Sequence, residues 1–167
     1  MRVPDVQFMY RVGPDWEERD TFELFKGRRC VVFSLPGAFT PTCSSKQLPR
    51  YEELYSEFMQ NGIDEVYCIS VNDSFVMNAW ADNLNIKNVQ MIPDGCGEFT
   101  RDMDMLVWKP AQNFGFRSWR YAMVVNDMKI EQMFVEPGKN QRGLDDDPYV
   151  ETTPEKVLEY LLDPIGT

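Results

Sequence analysis

The 167-residue chain contains no histidine. That absence excludes Cys-His and Ser-His nucleophilic pairs and any imidazole acid–base catalysis. No two of the four cysteines, Cys30, Cys43, Cys68 and Cys96, stand at Cys-x-x-Cys spacing. A zinc site would have to come from scattered thiols, so neither a metal nor a prosthetic cofactor is expected. Apolar runs reach only about five residues, too short to span a bilayer. The N-terminal stretch Met1-Arg2-Val3-Pro4-Asp5 has no apolar signal-peptide core, which leads us to expect a cytoplasmic protein. Basic residues are in deficit, 17 against 27 acidic, for a net charge of −10. With no basic stripe to offset it, that field disfavours nucleic acid and anionic membrane as partners.

What is present is enough to build a core. Apolar residues make up 43% and aromatics 13%, so disorder is excluded, and the length fits a single domain over residues 1–167. Val31 to Leu35 reads as a short buried strand stopped by Pro36. A helical pattern runs from Pro41 to Gln60, with Leu48, Tyr51, Leu54, Tyr55 and Phe58 on one face and Asn61-Gly62 at its end. Glu65 to Val71 reads as a second buried strand, and Asn72-Asp73-Ser74 offers caps for a helix through about Leu84. Val89 to Ile92 is a third strand, followed by a short helix through about Asp102. Trp108 to Trp119 reads as an aromatic loop, and Tyr121–Val125 with Lys129–Val135 as a hairpin around Asn126-Asp127. Pro137 to Tyr149 reads as a surface loop. Thr152 or Thr153 caps a last helix with Pro154 in its first turn. The order of elements predicts an α/β fold, a central mixed β-sheet flanked by helices on both faces.

One cysteine stands apart. In Pro36-Gly37-Ala38-Phe39-Thr40-Pro41-Thr42-Cys43 a strand stops, a loop turns and a helix begins, leaving Cys43 in the first helical turn. Unpaired backbone N–H groups and the positive end of a helix dipole favour the thiolate there. Lowering a thiol pKa from about 8.5 to about 6 raises the thiolate roughly 30-fold at neutral pH, and the less basic sulfur then attacks more weakly. Thiolate formation therefore supplies only part of any catalysis. The bland alternative is a buried structural cysteine, as free cysteines commonly are.

Pro36, Thr40 and Cys43 fit the signature of the peroxiredoxins, and Leu35 through Ser44 resembles the type-five subfamily. The likeness continues through Ile69–Asp73, Phe75–Trp80 and Ser118–Val125. It implies a thioredoxin-like fold and reduction of hydrogen peroxide and organic hydroperoxides. It further implies Cys43 as the peroxidatic nucleophile, Thr40 as the hydroxyl that orients peroxide, Pro36 as a shield for the thiolate and Arg120 as a distant active-site arginine. Arg117 is the competing arginine, but Trp119-Arg120-Tyr121 carries the match. Backbone N–H groups near Thr42 and Cys43, the Thr40 hydroxyl and Arg120 are then the donors for charge developing as O–O breaks. The product is a sulfenic acid. The resemblance also implies a homodimer.

Two departures qualify the resemblance. Where the subfamily usually has a histidine, this chain has Gln47, which does not titrate near neutral pH. Residues 136 to 153 carry no resolving cysteine. Cys30 and Cys68 fall in strands, where burial is expected. Cys96, in an expected exposed turn, is the remaining thiol for a disulfide with Cys43. The preferred reading is a one-cysteine mechanism, with glutathione, with or without glutaredoxin, or thioredoxin as external reductant. Rival readings are a redox relay or sensor that passes oxidation from Cys43 to a partner protein, and a non-enzymatic thioredoxin-like binding module.

Overall fold

A computed structural model describes residues 1–140 and 147–163, with the backbone alone for Cys43 and Ser44. The chain opens with a hairpin of β1 (Gln7–Val12) and β2 (Asp15–Asp20), then a short α1 (Thr21–Phe25). β3 (Arg29–Ser34) leads to a π-helical turn over Cys43–Gln47, α2 (Leu48–Glu53) and α3 (Tyr55–Gln60). β4 (Glu65–Ser70), α4 (Ser74–Asn83), β5 (Gln90–Pro93) and α5 (Glu98–Asp102) follow. A second hairpin joins β6 (Leu106–Lys109) to β7 (Gly115–Ser118), a third joins β8 (Tyr121–Asn126) to β9 (Lys129–Val135), and α6 (Pro154–Leu162) comes last.

The central sheet has the order β5-β4-β3-β8-β9. β3 pairs parallel to β4 and antiparallel to β8, and β4 pairs parallel to β5, so the sheet is mixed. β3 and β8 are buried on both faces, which is why they read as continuous apolar runs rather than alternations. On one face Val31, Phe33 and Val124 meet Leu48, Tyr51 and Phe58 of α2 and α3, Met77 and Trp80 of α4, and Val157, Leu158 and Leu161 of α6. On the other, Val32, Ile69 and Met123 meet Phe8, Leu24, Phe25 of α1, Phe99 of α5 and Trp119. The α/β prediction with helices on both faces holds.

Local chemistry sets the boundaries. Asp20 caps α1 with a reciprocal bond pattern to Glu23. Asp73 caps α4, accepting from the Val76 N–H at 3.0 Å, and Thr153 caps α6 by accepting from Lys156. Thr152, the alternative cap read from the sequence, has a different task described below.

Two expectations are corrected. The helix predicted from Pro41 to Gln60 is a π-helical turn and two short α-helices broken at Leu54 (φ −96°, ψ 7°). Trp108 to Trp119 is not a loop throughout: it contains part of β6 and all of β7, with Trp108 and Phe116 paired across the strands at 5.0 Å between ring centroids. The β1–β2 hairpin and α1 were not foreseen at all. Of the surface loop expected from Pro137 to Tyr149, residues 141–146 lie outside the described residues. Among the described residues no helix is long and apolar enough to cross a membrane.

Candidate functional site

The site is built at the end of β3. Pro36 has no N–H to continue sheet pairing, so the chain leaves the sheet there. The Ala38 N–H donates to Asn72 Oδ1 at 3.0 Å, and Ser70 Oγ donates to the same oxygen at 2.7 Å. Asn72 thereby fastens the loop to the end of β4 instead of capping α4. Phe39 holds φ at 66°, a left-handed conformation uncommon for a bulky residue, and is half exposed. Thr40 Oγ1 donates to the Gly37 carbonyl at 2.8 Å. With its hydrogen turned to that carbonyl, the hydroxyl must rotate before it can donate to a substrate.

Gly37 leaves room for a close approach by Arg117. A Cβ there would sit 1.9 Å from Arg117 Nη1. That nitrogen donates to the Pro36 carbonyl at 3.0 Å, and the Arg117 guanidinium lies over the Phe114 ring at 4.9 Å. Arg117 therefore buttresses the Pro36 loop. Pro36 itself is buried, as a shielding residue should be.

Cys43 begins the π-helical turn, and the expected position of its thiol lies outside the described residues. The wider turn has a physical cause. Pro49 in the first turn of α2 has no N–H for an i−4 bond, and in a continuous α-helix its ring would crowd the carbonyl of Ser45. An extra residue in the preceding turn relieves that conflict, and such π-bulges are frequent at functional sites.

Arg120 comes from the far end of the chain, just before β8, yet only 1% of it is exposed. The bland reading, a solvated residue at a strand start, fails on that burial. Among its partners in the described residues, Nη1 donates to Gln47 Oε1, Nη2 to Asp147 Oδ1 at 2.6 Å, and Nε to the Pro148 carbonyl at 3.1 Å. Bonds from a charged donor are the strong kind, so the plane of the guanidinium is well held. Gln47 is fully buried, and its Nε2 has no hydrogen-bond partner among the described residues. The π-helical turn that starts at Cys43 and the arginine 73 residues beyond Gln47 thus meet through one carboxamide.

The segment that supplies Asp147 and Pro148 has its own anchor. Glu136, 1% exposed, accepts from the N–H groups of Val150, Glu151 and Thr152 at 2.9–3.0 Å and from Thr152 Oγ1 at 2.8 Å. Trp119 Nε1 donates to the Glu136 carbonyl at 2.8 Å. From the other side, Tyr51 Oη donates to the Thr152 carbonyl at 2.7 Å, and Arg50 pairs with Glu155 at 2.6 Å. Residues 147–152 are a strap laid between Arg120 and α2. Asp147 and Glu136 were not picked out from the sequence. A triple-aspartate run and a lone glutamate after a strand look like ordinary solvated charge, and no local pattern reveals partners this distant.

The other cysteines behave as read. Cys30 and Cys68 are fully buried, and burial pushes the Cys30 thiol up to about 12, which makes it inert. Cys96 is exposed, in a turn. It lines a cleft with Phe8, Trp16, Ser74 and Pro93, to which neither the Pro36–Gln47 segment nor Arg120 contributes. Among the described residues, no group of three or more Cys, Asp or Glu is arranged to hold a metal ion.

Known proteins resemble this chain throughout. The Redoxin family profile matches residues 1–152. A peroxiredoxin of Sinorhizobium fredii is 54% identical over 169 aligned positions, covering 96% of this chain and 89% of that one. Among solved structures, the Plasmodium falciparum antioxidant protein, described as a 1-Cys peroxiredoxin, superposes with a TM-score of 0.91 at 37% identity, covering 97% of this chain and 98% of that one. Reduced Prx3 of Vibrio vulnificus, solved in complex with hydrogen peroxide, gives 0.86 at 31% identity over 96% of each chain.

Proposed function

Because this chain belongs to the peroxiredoxins of the Redoxin family and is a thiol-dependent peroxidase, we propose that Cys43 is its peroxidatic nucleophile and that Arg120, Thr40 and Pro36 complete the peroxide pocket. One observation carries the reading. Gln47, four residues past Cys43 and in the same helical segment, holds the buried Arg120. A guanidinium fixed beside a helix start is a donor for charge that develops on oxygen. Arg117, the competing arginine, is engaged with Pro36 and Phe114 instead.

In the first step the Cys43 thiolate attacks the nearer peroxide oxygen. The S–O bond forms as O–O breaks, sulfur is oxidised, and hydroxide or alkoxide leaves and takes up from solvent the proton that the thiol released on ionising. Sulfur is left as a sulfenic acid. An external thiol then displaces water to give a mixed disulfide, and a second thiol releases Cys43 and departs as a disulfide. Peroxiredoxins need no prosthetic group for this chemistry.

We take glutathione, with or without glutaredoxin, as the reductant and thioredoxin as the alternative. The one-cysteine scheme is supported by the burial of Cys30 and Cys68, by the separate cleft of Cys96 and by the likeness to a 1-Cys peroxiredoxin. Homodimer formation is supported by the exposed aromatic side chains Phe39, Phe75, Trp108 and Phe116. A cytoplasmic location fits inert buried thiols together with an exposed Cys96.

The test is intact-mass analysis after brief exposure to substoichiometric peroxide, with and without glutathione. We expect one added oxygen without glutathione and a glutathione adduct with it, both absent in Cys43→Ser and both retained in Cys96→Ser. Slow, non-selective oxidation of Cys43 sinks the enzymatic reading, and loss of turnover in Cys96→Ser sinks the one-cysteine scheme.

A further inference from the structure

The unpartnered amide of Gln47 is the group that the fold itself leaves unexplained. Its side chain is fully buried, and a buried N–H without an acceptor forfeits the desolvation of that donor with nothing in return. The orientation of the carboxamide is not arbitrary. Arg120 offers only donors, so the oxygen of Gln47 must face it and the nitrogen must face away. The carboxamide therefore sits against the guanidinium, one helical turn from Cys43, with a donor that no described residue accepts.

We infer that Gln47 works on the reaction directly, its Oε1 orienting Arg120 and its Nε2–H donating to an oxygen of the bound peroxide. This deepens the reading of Cys43 as the peroxidatic residue and rests on it. The ligand class follows from the chemistry of that buried amide. Its partner must be an acceptor, small enough to reach a buried carboxamide, and more strongly bound as negative charge grows on it. A peroxide oxygen becomes such an acceptor when the Cys43 sulfur attacks and the O–O bond breaks. The amide gives up no proton in this step. It keeps its hydrogen, and the departing hydroxide or alkoxide is protonated by water. Since neither Gln47 nor Arg120 titrates near neutrality, the two donors stay in place across the working pH range.

Variants separate the two roles. Gln47→Glu keeps an acceptor for Arg120 and removes the donor. Gln47→Met, of similar length, removes both. Gln47→His restores one donor and one acceptor on a neutral ring. The measurement is the second-order rate of Cys43 oxidation by hydrogen peroxide against pH, taken to the plateau where the thiol is fully ionised. Using the plateau removes any shift in thiol ionisation caused by the new carboxylate. The plateau is expected to fall about 10- to 100-fold in both Gln47→Glu and Gln47→Met, the range for one donor lost from developing charge. Gln47→His should recover most of that loss. A wild-type plateau in Gln47→Glu overturns the inference, because holding Arg120 would then be the whole role of Gln47. If Gln47→Met does not fold, the Glu and His variants still decide. A native chain that peroxide does not oxidise at Cys43 sinks the underlying peroxidase assignment, and this inference with it.

Discussion

Replacing Glu136 by glutamine tests whether the strap over residues 147–152 depends on a buried charge. The carboxylate accepts four hydrogen bonds, three from consecutive backbone N–H groups and one from the Thr152 hydroxyl. Bonds to a charged acceptor are worth about 1 kcal/mol more each than bonds to a neutral one. Four such differences suggest roughly 4 kcal/mol. Two effects reduce that figure. Val150 and Glu151 are exposed, so water can take up their donors, and a buried carboxylate carries a desolvation cost that the amide avoids. About 2 kcal/mol remains. For a domain of this size that is a fall in Tm of roughly 4–8 °C. If the loss is confined to the strap, the open fraction of residues 150–152 rises about 30-fold. Calorimetry reads the first quantity and amide hydrogen exchange at Val150, Glu151 and Thr152 the second. A Tm within about 1 °C of the native chain, with unchanged exchange at those three amides, refutes the argument.

Arg120→Lys keeps the charge but loses the planar fork that reaches Gln47, Asp147 and Pro148 together. The rate of Cys43 oxidation should drop about 100-fold in stopped-flow peroxide assays, and a change under twofold would show the fork to be dispensable. Gly37→Ala should push Arg117 off the Pro36 carbonyl and cost about 1–3 kcal/mol in urea unfolding, while unchanged stability would mean that the loop simply shifts. Alkaline pH should destabilise the fold. Burial raises Cys30 from its ordinary 9.0 to about 12 and raises Tyr10, Tyr67 and Tyr121 as well. The unfolded chain releases these protons first, so stability is complete below about pH 9 and declines toward pH 12; denaturant midpoints that stay flat from pH 9 to 11 would contradict this. Activity against pH should follow the Cys43 ionisation alone, and a second steep titration near pH 6.5 would mean that Gln47 is not the whole replacement for a histidine.

The sequence exposes the central sheet because burial leaves a mark on composition. β3, β4 and β8 are runs of branched and aromatic side chains with water on neither face. β2 escaped because Asp-Trp-Glu-Glu-Arg-Asp carries no apolar alternation; its outer surface is solvated, and pairing with β1 holds it. The break at Leu54 escaped because the apolar spacing continues smoothly across it. At the site, the Pro36–Cys43 half is contiguous and legible as a strand end, a turn and a helix start. Arg120 became legible only through family resemblance, since nothing local separates a buried arginine from a solvated one. Asp147 and Glu136 were hidden for the same reason. Their roles depend on which residues the fold brings to them, and those partners lie 27 and 14–16 residues away.

Tyr51 lies stacked on Phe33 at 3.9 Å between centroids, and its hydroxyl reaches the Thr152 carbonyl. It joins the helix that follows Cys43 to the strap that holds Arg120. The gap between the two arms is therefore set by a rigid spacer and not by whatever occupies it. Peroxide entering such a gap has little protein motion to arrest. The ordering cost then falls mainly on the peroxide, whose lost translational freedom keeps the activation entropy of Cys43 oxidation negative.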